Sequence, residues 1–569
     1  MPLQTKSRFP SQPSCSSLKD VSGSSKDILS LLSPSRASPG CPLCHAEYLS
    51  EVSIVSQRSL RTAPLGQIFF AGQQFGAVCP LNGIPHLTSY CEQWIFERTG
   101  QRPKFRELFG RDVHQPGRVD CETEQQFCHG NSLRCSGDPP LPEKWIVESL
   151  VADFTASEFG LAFPLINPLL FEETLMLAYT AGQTQSTPES MTAKACVLAF
   201  VCLSSSHCPT SKASSDIDCD FCIKAAKSFM SEIIDDVSVT TLQTVMMLLL
   251  YDTLRGHLLS STMYHALACR IVLALGGHRL TMTLAGNRDM TRQEHEDRHI
   301  RVLFWLCYIF DKDIALRSGQ PPVIVDQFCD LTLPDGYYEY QFRGLQKSPK
   351  GGLVQNPWLP GDLRLSMVKS KALQTLYSCS SLQMSDAELL KTIRELDEEL
   401  ESWRKSMPGP YSPSLSIRKD VKLAQDASVS QNMLFIHLHM DYHFLLNIIH
   451  FASGRCTRRG CDSAQGLTFG VQSSFEISVE ASRSTLIFLG ATAALLTLFF
   501  NILQNPGHSL ARHDMELLGK ASQIIRRMPM WRVTSYETEY LVKIDRLAAE
   551  LSRLGSCAID RHLANNLPC

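Results

Sequence analysis

The sequence predicts an all-α protein: a large multi-helix domain behind a disordered N-terminal segment. Three observations carry this. From Leu141 onward, apolar residues recur three and four apart, the mark of helices that bury one face, as in Ile146, Leu150 and Phe154. Two capping boxes, Thr291-x-x-Glu294 and Ser385-x-x-Glu388, mark helix starts. The chain has 569 residues, 44% hydrophobic and 20% charged, which is ordinary for a soluble globular protein and long enough for a substantial core.

The formal net charge is −3, so the chain as a whole has no basic character to attract nucleic acid or anionic membranes. Its 21 cysteines are scattered, several inside apolar helical patterns (Cys196, Cys202, Cys269, Cys307), which reads as buried thiols in a reducing compartment.

Residues 1–60 are dense in Ser, Pro and Gly and poor in aromatics. They cannot bury enough apolar surface to offset chain entropy, so they are expected to be disordered, and they lack the apolar core of a signal peptide. Cys41-Pro-Leu-Cys44-His45 is half of a zinc site without two further ligands at suitable spacing. Asn82-Gly83 predicts a tight turn, and Ser89–Arg98 a short helix stopped by Gly100. Residues 101–141 read as a polar linker. Cys121, Cys128 and Cys135, with His129 among them, keep six-residue gaps but contain no Cys-x-x-Cys. Cys219-Asp-Phe-Cys222 does, yet it sits in a helical pattern with no second pair.

Helices are expected at about 168–180, 191–203, 217–234, 238–255 and 260–276, the 238–255 segment being apolar nearly all round and therefore central. His265 reads as a packed, hydrogen-bonded core histidine. The long helix that opens at Thr291 leads into the stretch around which the chain is organised, HIRVLFWLCYIFDKDIALRSGQPPVIVDQFCDLTLP. It is apolar at Val302, Leu303, Leu306, Ile309 and Phe310, then polar at Asp311, Lys312 and Asp313. Gly319 and the pair Pro321-Pro322 end it. Asp313 and Arg317 lie four apart and are expected to pair, with Arg317 favoured by the helix dipole. Asp311, Asp313, Arg317, Gly319, Pro321 and Pro322 form the candidate structural and regulatory site.

Residues 335–360 read as a Gly- and Pro-rich connection. Leu389, Ile393, Leu396, Leu400 and Trp403 step by heptad spacing over too short a run for a coiled coil, so an internal packing seam is expected; Asp397, Glu398, Glu399 and Glu401 give it an acidic, solvated outer face. Among His437, His439, His443 and His450, the pair His439/His443 has zinc-compatible spacing, but Met440 stands where a metalloprotease has its Glu. Ser484–Gln504 carries no charge over about 20 residues, enough to cross a bilayer. It lacks aromatic anchors, and a buried helix is the preferred reading.

Several blocks together resemble the middle homology region of fungal zinc-cluster transcription factors: Leu65-Gly66, Phe70-Ala71-Gly72, Asn82-Gly83-Ile84-Pro85, Trp94-Ile95 and Arg98-Thr99-Gly100; Met263-Tyr264-His265 and Cys269-Arg270; FWLCYIFDKDIALRSGQPP followed by CDLTLP; Leu359-Pro360-Gly361-Asp362-Leu363-Arg364-Leu365-Ser366; and Ser482–Leu486, Glu516–Gly519 and Leu551–Cys557. The resemblance covers about residues 64–555. It implies an all-α regulatory domain, a transcription regulator of RNA polymerase II-type genes, and a nuclear location. It suggests a domain in two halves, 61–334 and 363–569, joined by 335–362. Where the family usually places about 20 more residues before its Leu-Thr-Leu-Phe block, Gly490-Ala491-Thr492 joins directly.

The family's zinc cluster, Cys-x2-Cys-x6-Cys given twice with a basic recognition segment, is not recognisable, so no cofactor is expected in this chain, zinc belonging to the family's N-terminal cluster. Either an upstream exon supplies that cluster or the protein acts without its own DNA-binding module. DNA is then a partner by resemblance alone or through another protein; a homodimer and a small-molecule effector fit the family, and a membrane does not. There is no nucleophile–base pair, phosphate loop or pocket of paired carboxylates, which argues against an enzyme. The alternatives are a helical enzyme with an unrecognised site, or a membrane-associated protein anchored by 484–504.

Overall fold

The computed structural model describes residues 66–566, apart from 79–83, 106–138, 181–186, 208–216, 256, 281–289, 335, 344–358, 410, 418–428, 457–464, 489–491 and 528–534. All of these fall in one compact unit, Leu60–Cys569. The expected disorder of 1–60, the Cys41/Cys44 and Cys121/Cys128/Cys135 patterns, the Asn82-Gly83 turn and most of the 335–360 connection lie outside the described residues.

The described chain is overwhelmingly helical, as the apolar periodicity requires. One small antiparallel sheet precedes the helices, β1 (Gln67–Phe70), β2 (Gln73–Val78) and β3 (Pro85–Leu87), in the order β1-β2-β3. The hairpin between β1 and β2 pairs Phe70 with Gln73 across Ala71 and Gly72. Both linking residues have left-handed φ, 52° and 76°, the sign a type I′ loop demands. Helix α1 (Ser89–Thr99) follows. Thr88 accepts from the Cys91 amide at its start, and Gly100, at φ 70°, ends it as expected.

Next come α2 (Lys144–Ala156), α3 (Pro168–Thr180), α4 (Pro188–His207), α5 (Cys219–Ser228), α6 (Val239–Leu254) and α7 (Leu258–Ala274). The expected helices locate α3, α4, α6 and α7 within a few residues, while the one expected over 217–234 is divided into α5 and a short helix, Met230–Ile233. In α6, twelve consecutive residues, Thr241–Asp252, are buried, which makes it the central helix of the first core. Helix α8 (Arg292–Ser318) is the longest of this half. It opens with the expected Thr291/Glu294 capping box and closes at Gly319, φ 72°, whose amide donates to the Ala315 carbonyl.

The second half consists of α9 (Leu363–Leu376), α10 (Asp386–Ser406), α11 (Val429–Phe451), α12 (Gln465–Phe488), α13 (Thr492–Gln504), α14 (Ala511–Arg527) and α15 (Ser535–Asn565). The Ser385/Glu388 capping box is present, and Leu389, Ile393, Leu396, Leu400 and Trp403 are all buried within the chain, an internal seam. Asp362 caps α9 by accepting from the Arg364 and Leu365 amides; its carboxylate also takes the Trp403 indole N–H at 3.1 Å, fixing α10 beside α9.

Three apolar cores result. The first gathers α2–α7 and Ile300–Ile309 of α8. The second holds Ala315 and Leu316, at the far end of α8, with α9, α10 and α11. The third joins the sheet and α1 to α13, α14 and α15: Phe70 and Phe75 each lie 5.2 Å from the Phe500 ring of α13, centroid to centroid. The run Ser484–Gln504 is therefore not one span. It is shared between the end of α12 and all of α13, and among the described residues no helix is long and apolar enough to cross a membrane. Its helices are stitched from inside: Arg483 of α12 makes two bonds to Asp514 of α14, which also accepts from Asn501 of α13. A bidentate guanidinium–carboxylate pair satisfies groups that would otherwise be costly to bury.

Candidate functional site

Helix α8 serves two cores, and its polar break falls between them. Residues 300–309 face the first core, 315–316 the second. Asp311 and Lys312 stand at the junction, almost completely buried. Buried charges persist only when paired and hydrogen-bonded, and each has its partners. The Lys312 ammonium lies 3.0 Å from Asp311 Oδ2, donates to the Ile324 carbonyl at 2.7 Å, and lies 3.4 Å from Asp326. It also sits 4.6 Å from the centre of the Tyr308 ring, whose hydroxyl donates to Asp326. The Asp311 carboxylate accepts the amides of Val323 (2.7 Å) and Ile324 (3.0 Å).

That arrangement gives Pro321-Pro322 a purpose. Gly319 stops the helix, the two prolines keep the chain extended, and Asp311 and Lys312 bind the first peptide groups beyond them. The helix end is held against its own exit by Asp311 and Lys312.

The expected Asp313–Arg317 pair is corrected. Arg317 is exposed. Asp313 instead accepts from Lys369 of α9 at 2.6 Å, and Lys369 also donates to Asp441 of α11 at 2.6 Å. The two residues are one turn apart on the helix, but the core lies on Asp313's side. Lys369 is 1% exposed. Burial works against its charge, yet Asp313 and Asp441 outweigh it and hold its pKa above the ordinary lysine value. Burial likewise opposes the Asp441 carboxylate, but Lys369 and His437, 3.2 Å away, drive its pKa far below the usual carboxylate range.

A second polar group lies on the other side of the break. His265 of α7 contacts the Cys307 carbonyl at 3.1 Å and the Cys269 sulfur at 3.2 Å, with Asp311 at 4.0 Å. Burial disfavours its imidazolium, but Cys269, Asp311 and the Cys307 carbonyl prevail and raise it to about 9. His265 is thus packed and hydrogen-bonded, as expected.

Two groups of described residues bring metal-ligand atoms together: His265, Cys269 and Asp311, and Asp313, His437 and Asp441. Lys312 lies against the first and Lys369 within the second, so an ammonium already pairs with the carboxylates that each group would offer a cation. His439 and His443 belong to neither. His439 Nδ1 donates to the Phe435 carbonyl, and burial lowers His443 to about 3.

Lys369 and Asp441 were not singled out from the sequence. A signal was present for Asp441, the lone acidic or basic charge in the apolar pattern of α11, but not for Lys369, because α9 also carries Arg364 and Lys371. A lone charge on a buried face calls for an opposite one on a neighbouring helix.

The family model described as "Fungal specific transcription factor domain" matches residues 157–405. That interval runs from the cap before the short helix Glu158–Ala162 to the last turn of α10, and contains Asp311, Lys312, Asp313 and Lys369. The chain is similar to an ABC-transporter-regulating transcription factor of Aspergillus oryzae, 30% identical over 296 residues, which is 46% of this chain and 30% of that protein. It is similar at the same identity and coverage to the protein of that name in Aspergillus fumigatus. A Schizosaccharomyces pombe protein described as an uncharacterized transcriptional regulatory protein is 23% identical over 303 residues, 51% of this chain and 37% of that protein. The matches thus span about a third of the length of these relatives. No solved structure matches. Residues 157–405, with the polar break of α8 inside them, are what is similar to the fungal specific transcription factor domain.

Proposed function

We propose that this chain regulates transcription in a fungal nucleus, as the regulatory part of an RNA polymerase II-type transcription factor, and that it is not an enzyme. The observation that carries the proposal is the similarity of residues 157–405 to the fungal specific transcription factor domain, with relatives named as transcription regulators; Asp311, Lys312, Asp313 and Lys369 lie inside that interval. In this reading Asp311, Asp313, Gly319, Pro321 and Pro322, with Lys312 and Lys369, are structural first. They fix how the two cores meet, and exposed Arg317 is free of that duty. The clusters call for no resident metal or cofactor.

DNA contact is assigned to a DNA-binding module accompanying the domain or to a partner. A chain of net charge −3 has little to neutralise phosphates with. The full chain fused to a heterologous operator-binding domain should change the transcript level of an operator-driven reporter in a fungal host and should accumulate in the nucleus. A stable, nuclear fusion that leaves the reporter at the level of the operator-binding domain alone would reject the reading. Because two relatives are named as regulators of ABC transporters, transporter transcripts are the first to measure after deletion of the gene.

A further inference from the structure

The chain enters α2 through Pro139-Pro140-Leu141-Pro142-Glu143, a run that forms no helix, strand or turn. Its shape follows from its composition. A proline ring fixes φ near about −65°, and a residue that precedes proline is pushed to extended geometry. The first rule holds Pro139, Pro140 and Pro142; the second holds Pro139 again and Leu141. Glu143 closes the run at φ −60° and ψ 137°, close to the polyproline II values of about −75° and +145°. These constraints make the run a left-handed polyproline II strip, with about three residues per turn.

One side of the strip is fastened down. Leu141 packs against the first core, and the Pro142 carbonyl accepts from the Tyr179 hydroxyl of α3 at 2.5 Å. The other side is open. Pro140 and Glu143 share a ridge and are both exposed, with Pro139 and Pro142 half-buried beside them. Among the described residues, no hydrogen bond engages the carbonyls of Pro139, Pro140 or Leu141. Trp145, in the first turn of α2, is 59% exposed, and its indole N–H donates to the Glu143 carboxylate, which keeps the ring beside the strip. Lys144 is exposed as well; its contact with Glu148, at 3.5 Å between two half-exposed side chains, is too weak to hold it.

We propose that residues 139–145 are a docking strip for a proline-recognition module, a small domain of the WW or SH3 class whose groove is lined by aromatic rings. Such a groove stacks its rings on exposed prolines and donates hydrogen bonds to the carbonyls between them, and both are on offer here. An added β-strand is a poor alternative occupant, because Pro139, Pro140 and Pro142 have no amide hydrogen to give a ladder. The strip also meets its partner already in the extended form, fixed by its prolines and by Tyr179, so docking orders little new chain. Lys144 asks for a carboxylate on the rim of the groove. The strip precedes the matched interval 157–405, so this contact goes beyond the regulatory reading and does not depend on it.

The test titrates the full chain, by calorimetry, with each purified WW and SH3 domain encoded by the same genome. At least one should bind one-to-one, and a synthetic polyproline peptide should displace it. Pro140→Ala, at an exposed position, should leave the melting temperature unchanged and weaken that binding about tenfold or more. Pro188→Ala, at the exposed first residue of α4, should leave binding unchanged. Lys144→Glu should weaken binding and remove its dependence on salt. Binding by none of these domains, or binding that survives Pro140→Ala, would overturn the proposal. So would sedimentation showing that the chain pairs with a second copy and that Pro140→Ala abolishes this pairing, since the strip would then be a self-contact.

Discussion

Lys369 donates to Asp441 at 2.6 Å inside the second core, and the same ammonium holds Asp313 at 2.6 Å, so one buried lysine ties α9 to both α8 and α11. Removing one partner of a buried ion pair strands the other charge and costs about 3–5 kcal/mol. Lys369→Met is expected in that range, measured as a fall in urea midpoint with unchanged slope. Because the carboxylates are the stranded groups, adding Asp313→Asn and Asp441→Asn should recover part of the loss. Equal or greater loss in the triple variant would show that the lysine stem, and not its charge, holds the helices.

The end of α8 should respond unequally along its length. Arg317→Ala removes an exposed side chain and is expected to shift stability by less than about 0.5 kcal/mol. Asp311→Ala strands Lys312 and leaves the Val323 and Ile324 amides unbonded, and should cost about 3 kcal/mol or more. Thermal unfolding of the two variants side by side decides this. A larger effect at Arg317 would place the lock on the other face of the helix.

Stability should fall at both ends of the pH range, for different groups. Asp441 has a depressed folded pKa, so its contribution is complete above the unfolded value of about 3.9 and is lost as pH falls below it. Lys369, His437 and Asp313 face it. His265 has a folded pKa raised to about 9, so its contribution is complete below about 6.5 and is lost as pH rises through 9. Asp441→Asn should flatten the acid limb alone, and His265→Asn the alkaline limb alone, in melting temperatures recorded from pH 3 to 10. If each variant changed both limbs alike, these two groups would not be the source of the dependence.

Leu495 of α13 is fully buried in the third core. Leu495→Asp would place an unpaired carboxylate there and should cost more than about 4 kcal/mol, leaving the chain insoluble or without a cooperative melt. A soluble variant with wild-type circular dichroism would show that this face of α13 is not core.

The helices, their caps and the stop at Gly319 could be read from the sequence, because each depends on residues within a turn or two of one another. Apolar spacing placed α3 and α6, and Thr291/Glu294 and Ser385/Glu388 announced α8 and α10. The break at Asp311-Lys312-Asp313 was also legible, since charges that interrupt a buried helix must be answered somewhere. What answered them was not. The local rule offered Arg317 four residues from Asp313, but the partner is Lys369, 56 residues on, and Lys369 finds Asp441 after 72 more. Likewise, Phe70 and Phe75 on their small sheet meet Phe500 from the other end of the chain. Within one helix, spacing says only which side chains share a face. Which face is buried, and which distant charge or ring lies against it, is settled when the helices pack, because burial makes an unpaired charge too costly to leave and an exposed pair worth almost nothing.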